Sequence, residues 1–149
     1  MANLTVYTLL NTKGSDVWTA APQDTVYEAL KVLSERNIGV LPVVDSGALV
    51  GIFSERDYAR RVALHGRNSK ATSVSEVMTK EVITAAPDDT IDHCMEIVVS
   101  KGFRHLPIVE ESLLVGIISS TDLLAEVIRS KERQIGKLQE FIQGSAEVS

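Results

Sequence analysis

The stretch LVGIFSERD, residues 49–57, carries an apolar, strand-like run through Gly51 into Ser54 and sets Asp57 three residues further on. The same arrangement returns in LVGIISSTD, residues 114–122, with Gly116, Ser119 and Asp122 in step. Sliding the chain against itself by 65 residues extends the match to 17–63 against 82–128, where VWTAAPQDT falls on VITAAPDDT and LPVV on LPIV. The chain is an internal duplication.

With 149 residues, 44% of them hydrophobic, the chain can bury one sizeable core, and the duplication divides it into two similar halves. Each half alone is a marginal folder. The expected arrangement is therefore two repeats packed on each other with a pseudo-symmetric cleft between them. No apolar run approaches the ~18 residues of a membrane span, and no basic segment leads into an apolar signal core. The expectation is a soluble, cytoplasmic protein without a membrane role. Cys94 is the single cysteine and cannot form an internal disulfide; within HCMEIVV it reads as a small buried residue. A net charge of −5 argues against nucleic acid as a main partner. The segment 55–70 is nevertheless basic, with Arg56, Arg60, Arg61, Arg67 and Lys70 against Glu55 and Asp57. Such a run is either a solvated helix face or a place to hold an anion.

Within each repeat, PQDTVYEALKVLSERN and PDDTIDHCMEIVVSKG carry apolar residues at helical spacing and are entered through Asp-Thr. The runs IGVLPVVD and ALVGIFS, and their counterparts FRHLPIVE and LLVGIIS, predict hairpin-linked strands. A helix then follows, ERDYARRVALH or STDLLAEVIRSK. Each repeat reads strand, helix, strand, strand, helix, an α+β class. The division is 5–66 for the first repeat, 67–130 for the second with a linker at 64–80, and 131–149 as a helical extension and tail.

Ser54 and Ser119 stand where strand becomes helix. A serine with an acid three residues later is a capping box with Asp in place of Glu, which needs no ligand. The same atoms have a second use. Amides at a helix start and a serine hydroxyl can hold an anion, while a carboxylate one turn inside accepts two hydrogen bonds from a vicinal diol. Phosphate donors beside a diol acceptor describe a ribonucleotide site.

The repeat resembles the cystathionine-β-synthase (CBS) domain, and the whole chain resembles a stand-alone tandem pair, or Bateman module. VSEVMTKEVITAAPDDT, HLPIV and LVGIISSTD carry the likeness in the second half, and VWTAAPQDT, VLPVV and LVGIFSERD in the first. The opening LLNTKGSDV departs from it, with additional residues before Val17 and no methionine. The resemblance implies a regulatory sensor that takes AMP, ADP, ATP or another adenosine derivative such as NAD or S-adenosylmethionine in the cleft between repeats. It implies that Asp57 with Ser54, and Asp122 with Ser119 and Thr121, hold ribose and phosphate. It also implies crossed sites, in which Asp122 works with Trp18, Thr19, Gly39 and Val40, and Asp57 with Ile83, Thr84, Phe103 and the backbone near Arg104. Trp18 is then either a base-stacking ring or an ordinary strand aromatic.

The repeats differ in charge before the strand proline, where Gly39 and Val40 of the first stand against Arg104 and His105 of the second. That pair resembles the cations with which γ subunits of AMP-activated kinases hold nucleotide phosphate, and it favours the Asp122 site for a charged ligand; a plain surface strand is the other reading. Arg56 and Arg60 are available to the Asp57 site. His65 and His93 show no partner in the sequence. Past the second repeat, Leu124, Ile128, Ile135, Leu138 and Ile142 continue at helical period, interrupted at Lys131. A helix that outruns its domain is covered either by its own module or by a second copy, and a homodimer is expected. No motif orders a nucleophile beside a base, so no enzymatic activity is expected. With no catalytic or transporter domain in these residues, the module is expected to act on a separate, unknown regulated protein. The alternative is a dimeric interaction module without functional ligand binding.

Overall fold

The computed structural model describes residues 4–14 and 16–148. Two helices begin where Asp-Thr predicts them. Thr25 Oγ1 accepts the Glu28 amide at 3.1 Å to start α2 (Val26–Arg36), and Thr90 Oγ1 accepts the His93 amide at 3.1 Å to start α5 (Ile91–Lys101). Each threonine satisfies a donor that a first turn cannot pair internally. Both helices close on a left-handed residue, Asn37 and Gly102.

Each helix leads into an antiparallel hairpin: β1 (Val40–Asp45) with β2 (Ala48–Ser54), and β3 (His105–Glu110) with β4 (Leu113–Ser119). The turns are two residues long with positive φ at both positions, 52° and 86° at Ser46 and Gly47, 51° and 70° at Glu111 and Ser112. That geometry matches strand twist. Both hairpins carry a register shift at equivalent places, Val43/Val44 and Ile108/Val109, which leaves Val50 and Val115 without a cross-strand partner. The strand order is β1-β2-β4-β3, and the hairpins meet only at their tips, where Ala48 pairs with Leu113.

The opening strand expected in each repeat is reduced to a single parallel bridge, Ala20 to Val43 and Ala85 to Ile108. Proline is the reason. The Ala20 amide donates to Pro42 O (2.9 Å) and Ala20 O accepts from Val44 (2.8 Å). The next rungs would need amide hydrogens from Pro42 on one side and Pro22 on the other, and neither exists. Pro107 and Pro87 truncate the second bridge in the same way.

The helix expected after Ser54 begins as α3 (Glu55–Asp57) and passes into a π-helical turn over Tyr58–Ala63. From that turn the Arg61 guanidinium donates to the carbonyls of Val77 (3.1 Å) and Met78 (2.9 Å). The corresponding helix of the second repeat, α6 (Ser120–Val148), runs for 29 residues. No helix among the described residues is long and apolar enough to cross a membrane.

Two apolar cores form, and each is completed from outside its hairpin. Val6, Leu9 and Leu10 of α1 (Val6–Lys13), at the start of the chain, are buried with Ile91, Cys94, Leu106, Ile118 and Leu123 of the second repeat. Val74 and Val77 of α4 (Val74–Val77), with Met78, are buried with Val26, Leu41 and Phe53 of the first. Glycine permits both closures. A Cβ on Gly51 would lie 2.6 Å from Met78 Sδ and 2.9 Å from Thr79 O; one on Gly116 would lie 2.7 Å from Leu10 Cδ2. Burial pushes the Cys94 thiol up to about 11, as does the nearby Asp89, so this cysteine is a core residue and a poor nucleophile.

The two glycines should respond unequally to substitution. Gly51→Ala drives a methyl into a backbone carbonyl and is expected to cost about 1–3 kcal/mol in urea unfolding. Gly116→Ala meets only the end of a leucine side chain and should cost visibly less.

Candidate ligand site

Both Ser-x-x-Asp motifs form capping boxes, but their carboxylates end in different surroundings. Asp57 is buried, with 8% of its surface exposed. Its Oδ2 accepts the Ser54 amide and hydroxyl, both at 3.0 Å, and its Oδ1 accepts the Thr79 hydroxyl at 3.1 Å. Arg61 Nε lies 4.0 Å from Oδ1. Both oxygens of this carboxylate are therefore engaged inside the protein.

Asp122 is more open. Its Oδ2 accepts the Ser119 amide at 2.9 Å and the Lys13 ammonium, and its own amide donates to Ser119 Oγ at 3.0 Å. Lys13 Nζ also donates to Ile117 O at 2.7 Å. Oδ1 has no hydrogen-bond partner among the described residues. Partial burial pushes this carboxyl up, but the Lys13 ammonium and the Ser119 amide outweigh it and hold Asp122 below the ordinary value of 3.8.

A cleft of about 480 Å³ opens between the repeats. Gly39 and Val40 line it from the first repeat, together with Ser54, Glu55 and Arg56. From the second repeat come Gly102, Phe103, Arg104 and His105. Two backbone bonds set these walls: the Glu55 amide donates to Gly39 O (3.1 Å) and the Ser120 amide to Arg104 O (2.8 Å), so each pre-strand segment is tied to the helix start of its own repeat. His105 pairs across the hairpin with Ser119. Burial lowers the His105 pKa from its usual 6.5, Lys13 and Arg104 lower it further, and Asp122 opposes them; the ring is neutral at pH 7.

Thr19 and Thr84 lie elsewhere, in two grooves related by the duplication. Thr19 sits with Val17 and Val44 of the first repeat against Leu114 and Val115 of the second; Thr84 sits with Val82 and Val109 of the second against Leu49 and Val50 of the first. The segment opening one repeat thus faces the second hairpin strand of the other. Trp18 is half-exposed and already carries a partner, with the Arg36 guanidinium 3.7 Å above its ring. Ile83, Phe103 and Thr121 are exposed, and Ser119 is half-buried.

Three residues with roles here escape a reading of the motif alone. Lys13 on Asp122, and Thr79 and Arg61 on Asp57, all arrive from outside the Ser-x-x-Asp stretch. The Thr-Lys dipeptide at 12–13, repeated at 79–80, is the sequence signal for two of them.

Comparisons with known proteins agree with this architecture. The sequence model of the CBS domain matches at residues 11–64 and again at 74–129. The CBS domain-containing protein CBSX3, mitochondrial, of Arabidopsis thaliana is 35% identical over 136 residues, which cover 88% of this chain and 66% of that protein; the chain thus spans just under two thirds of this relative's length. Among solved structures, the CBS-domain containing protein ATU1752 from Agrobacterium tumefaciens is 41% identical, with a TM-score of 0.73 and coverage of 82% of this chain and 98% of that one. The CBS domain pair of protein MJ0100, solved in complex with 5′-methylthioadenosine and S-adenosyl-L-methionine, is 31% identical, with a TM-score of 0.71 and coverage of 85% and 97%. With two tandem matches and this fold, the chain belongs to the CBS domain family and is a CBS domain pair.

Proposed function

We propose that this CBS pair is a regulatory module that binds an adenosine-containing ligand at Asp122 and passes the event to a separate protein. The observation that carries the reading is the contrast between the two carboxylates. Asp57 is saturated by Ser54 and Thr79, whereas Asp122 is partly exposed, has no partner on Oδ1 among the described residues and stands at the start of a long helix. A diol can reach such a group. In this reading Arg104 supplies a cationic donor for phosphate, and His105, which pairs with Ser119, a ring that protonates when phosphate is beside it. Adenosine compounds are named because the related pair MJ0100 was solved with two of them. In this reading AMP, ADP or ATP is held by phosphate as well as ribose, while NAD and S-adenosylmethionine share only the adenosine end.

The assignment is non-catalytic. Ser54 and Ser119 spend their hydroxyls on capping, and Cys94 lies in the core. Dimerisation is part of the proposal, because Leu124, Ile128, Ile135, Leu138, Phe141 and Ile142 leave α6 with an exposed apolar stripe. That stripe also favours a second reading, a dimeric interaction module that works without ligand. Titration separates the two.

In isothermal titration, Asp122→Ala is expected to weaken adenosine or AMP binding by about 1.5–3 kcal/mol, the range for hydrogen bonds to a charged group. Unchanged affinity would remove Asp122 from the site, and no binding of either compound to the unsubstituted protein would favour the ligand-free reading. Asp57→Ala should instead show in unfolding. It strips the Ser54 amide, the Ser54 hydroxyl and the Thr79 hydroxyl of a buried acceptor, an expected loss of about 2–3 kcal/mol.

Phosphate recognition has its own signature. Arg104→Ala should erase most of the preference for AMP over adenosine and leave adenosine affinity little changed. His105 begins with a lowered pKa, and a phosphate neighbour raises it, so AMP binding should take up a proton. Affinity is then highest below the pKa of the unbound form and falls as pH rises through the window up to the bound-state value. Calorimetry in buffers of different ionisation enthalpy measures that uptake, and His105→Gln should abolish it.

A further inference from the structure

Lys13 sits on the carboxylate that the proposed site offers to a ribose. Helix α1 is fixed to the second repeat by buried Val6, Leu9 and Leu10 and by backbone bonds from Val6 to Asp89 O (2.9 Å) and from Tyr7 to Pro87 O (3.0 Å). Its last residue is therefore delivered to the end of β4, where the ammonium bridges Ile117 O and Asp122 Oδ2. Gly14, at φ 95°, then ends the helix. A vicinal diol held bidentately takes both oxygens of Asp122, of which, among the described residues, only Oδ1 is without a partner. The duplicated site has no equivalent, since Asp57 meets the Thr79 hydroxyl and Lys80 lies in the groove with Thr84.

Resting on the reading of Asp122 as the ligand carboxylate, we infer that Lys13 is an internal latch that closes this site when it is empty and becomes a phosphate ligand when a nucleotide enters. The ion pair is one that a ligand can open, because both side chains are about one-third exposed, at 31% and 29%, and water screens such pairs. The four-carbon stem and three donors of lysine let the ammonium leave Oδ2 and turn to an oxyanion without moving the buried helix behind it. A neutral nucleoside must break the pair and offers no anion in return. A nucleotide exchanges one anionic partner of Lys13 for another. The latch therefore sets a preference for phosphorylated ligands that Arg104 and His105 reinforce. Ligand entry is also coupled to release of the α1 end from β4.

Lys13→Met tests both halves with adenosine and AMP as the probes. Removing the competitor should tighten adenosine binding roughly two- to fivefold, matching the worth of an exposed pair. Losing the phosphate contact should narrow the AMP-to-adenosine preference by about tenfold. Lys13→Arg, which keeps the charge, should retain most of that preference. In the unliganded protein, carbon NMR should show the Asp122 carboxyl titrating higher in Lys13→Met than in the unsubstituted chain. If Asp122→Ala weakens binding but Lys13→Met leaves adenosine affinity and the preference unchanged, the latch is wrong and the site stands. If Asp122→Ala has no effect on either compound, the site itself is wrong and the latch falls with it.

Discussion

The crossing of the chain between its two repeats is the constraint on which the rest depends. The hairpins pair only at their tips, through Ala48 with Leu113 and the flanking bonds from Leu49 to Ser112 O and from Leu114 to Gly47 O, so the sheet is a narrow join between the halves. What does so is that the helix at the start of the chain completes the second core, while the segment around Val74 and Met78 completes the first. Loss of α1 would expose Ile91, Leu106 and Ile118, all now fully or almost fully buried, although these residues lie some 80 or more positions away in sequence. The opening segments contribute little as strands, because proline at both ends of each bridge limits them to one rung.

The crossing also explains why the two sites are unequal although their motifs match. Ser-x-x-Asp folds the same way twice because its geometry is local: a serine between strand and helix, a carboxylate one turn inside, and amides that need acceptors. What reaches the carboxylate from outside comes from segments that the duplication copied least well. On one side that is Thr79, adjoining the short α4; on the other it is Lys13, at the end of the longer α1. A hydroxyl seals Asp57 into the core, and an ammonium leaves Asp122 paired but within reach of water. The charge difference before the strand prolines, Gly39-Val40 against Arg104-His105, is set across one cleft that all four residues line, and of these His105 pairs with Ser119 in the capping box of Asp122.

The parts of the fold that depend on neighbouring residues were legible in the sequence. The Thr25 and Thr90 caps, the two hairpins, the paired capping boxes and buried Cys94 all follow from patterns a few residues long. The truncated opening strands were hidden because propensity counts the β-branched residues and not the missing amides of the partner's prolines. Lys13 was hidden because its contact spans 109 positions, and no periodicity records such a pairing. Trp18 was open between a base-stacking ring and an ordinary strand aromatic, and its Arg36 partner sits on the end of α2, where only the fold brings it near.

One further property follows from where α6 begins. Its first turn contains Asp122, and its 29 residues extend for ~43 Å at the usual helical rise. Glu126, buried one turn further along, is gripped by Arg129 and Arg133 from the same helix, which braces the rod where it leaves the domain. Leu123 and Ser130 are buried, so the helix is anchored over its first three turns and only the part beyond Ser130 projects from the domain. That part, residues 131–148, spans ~27 Å, and a tilt of ~10° in the anchored turns would displace the far end by ~5 Å.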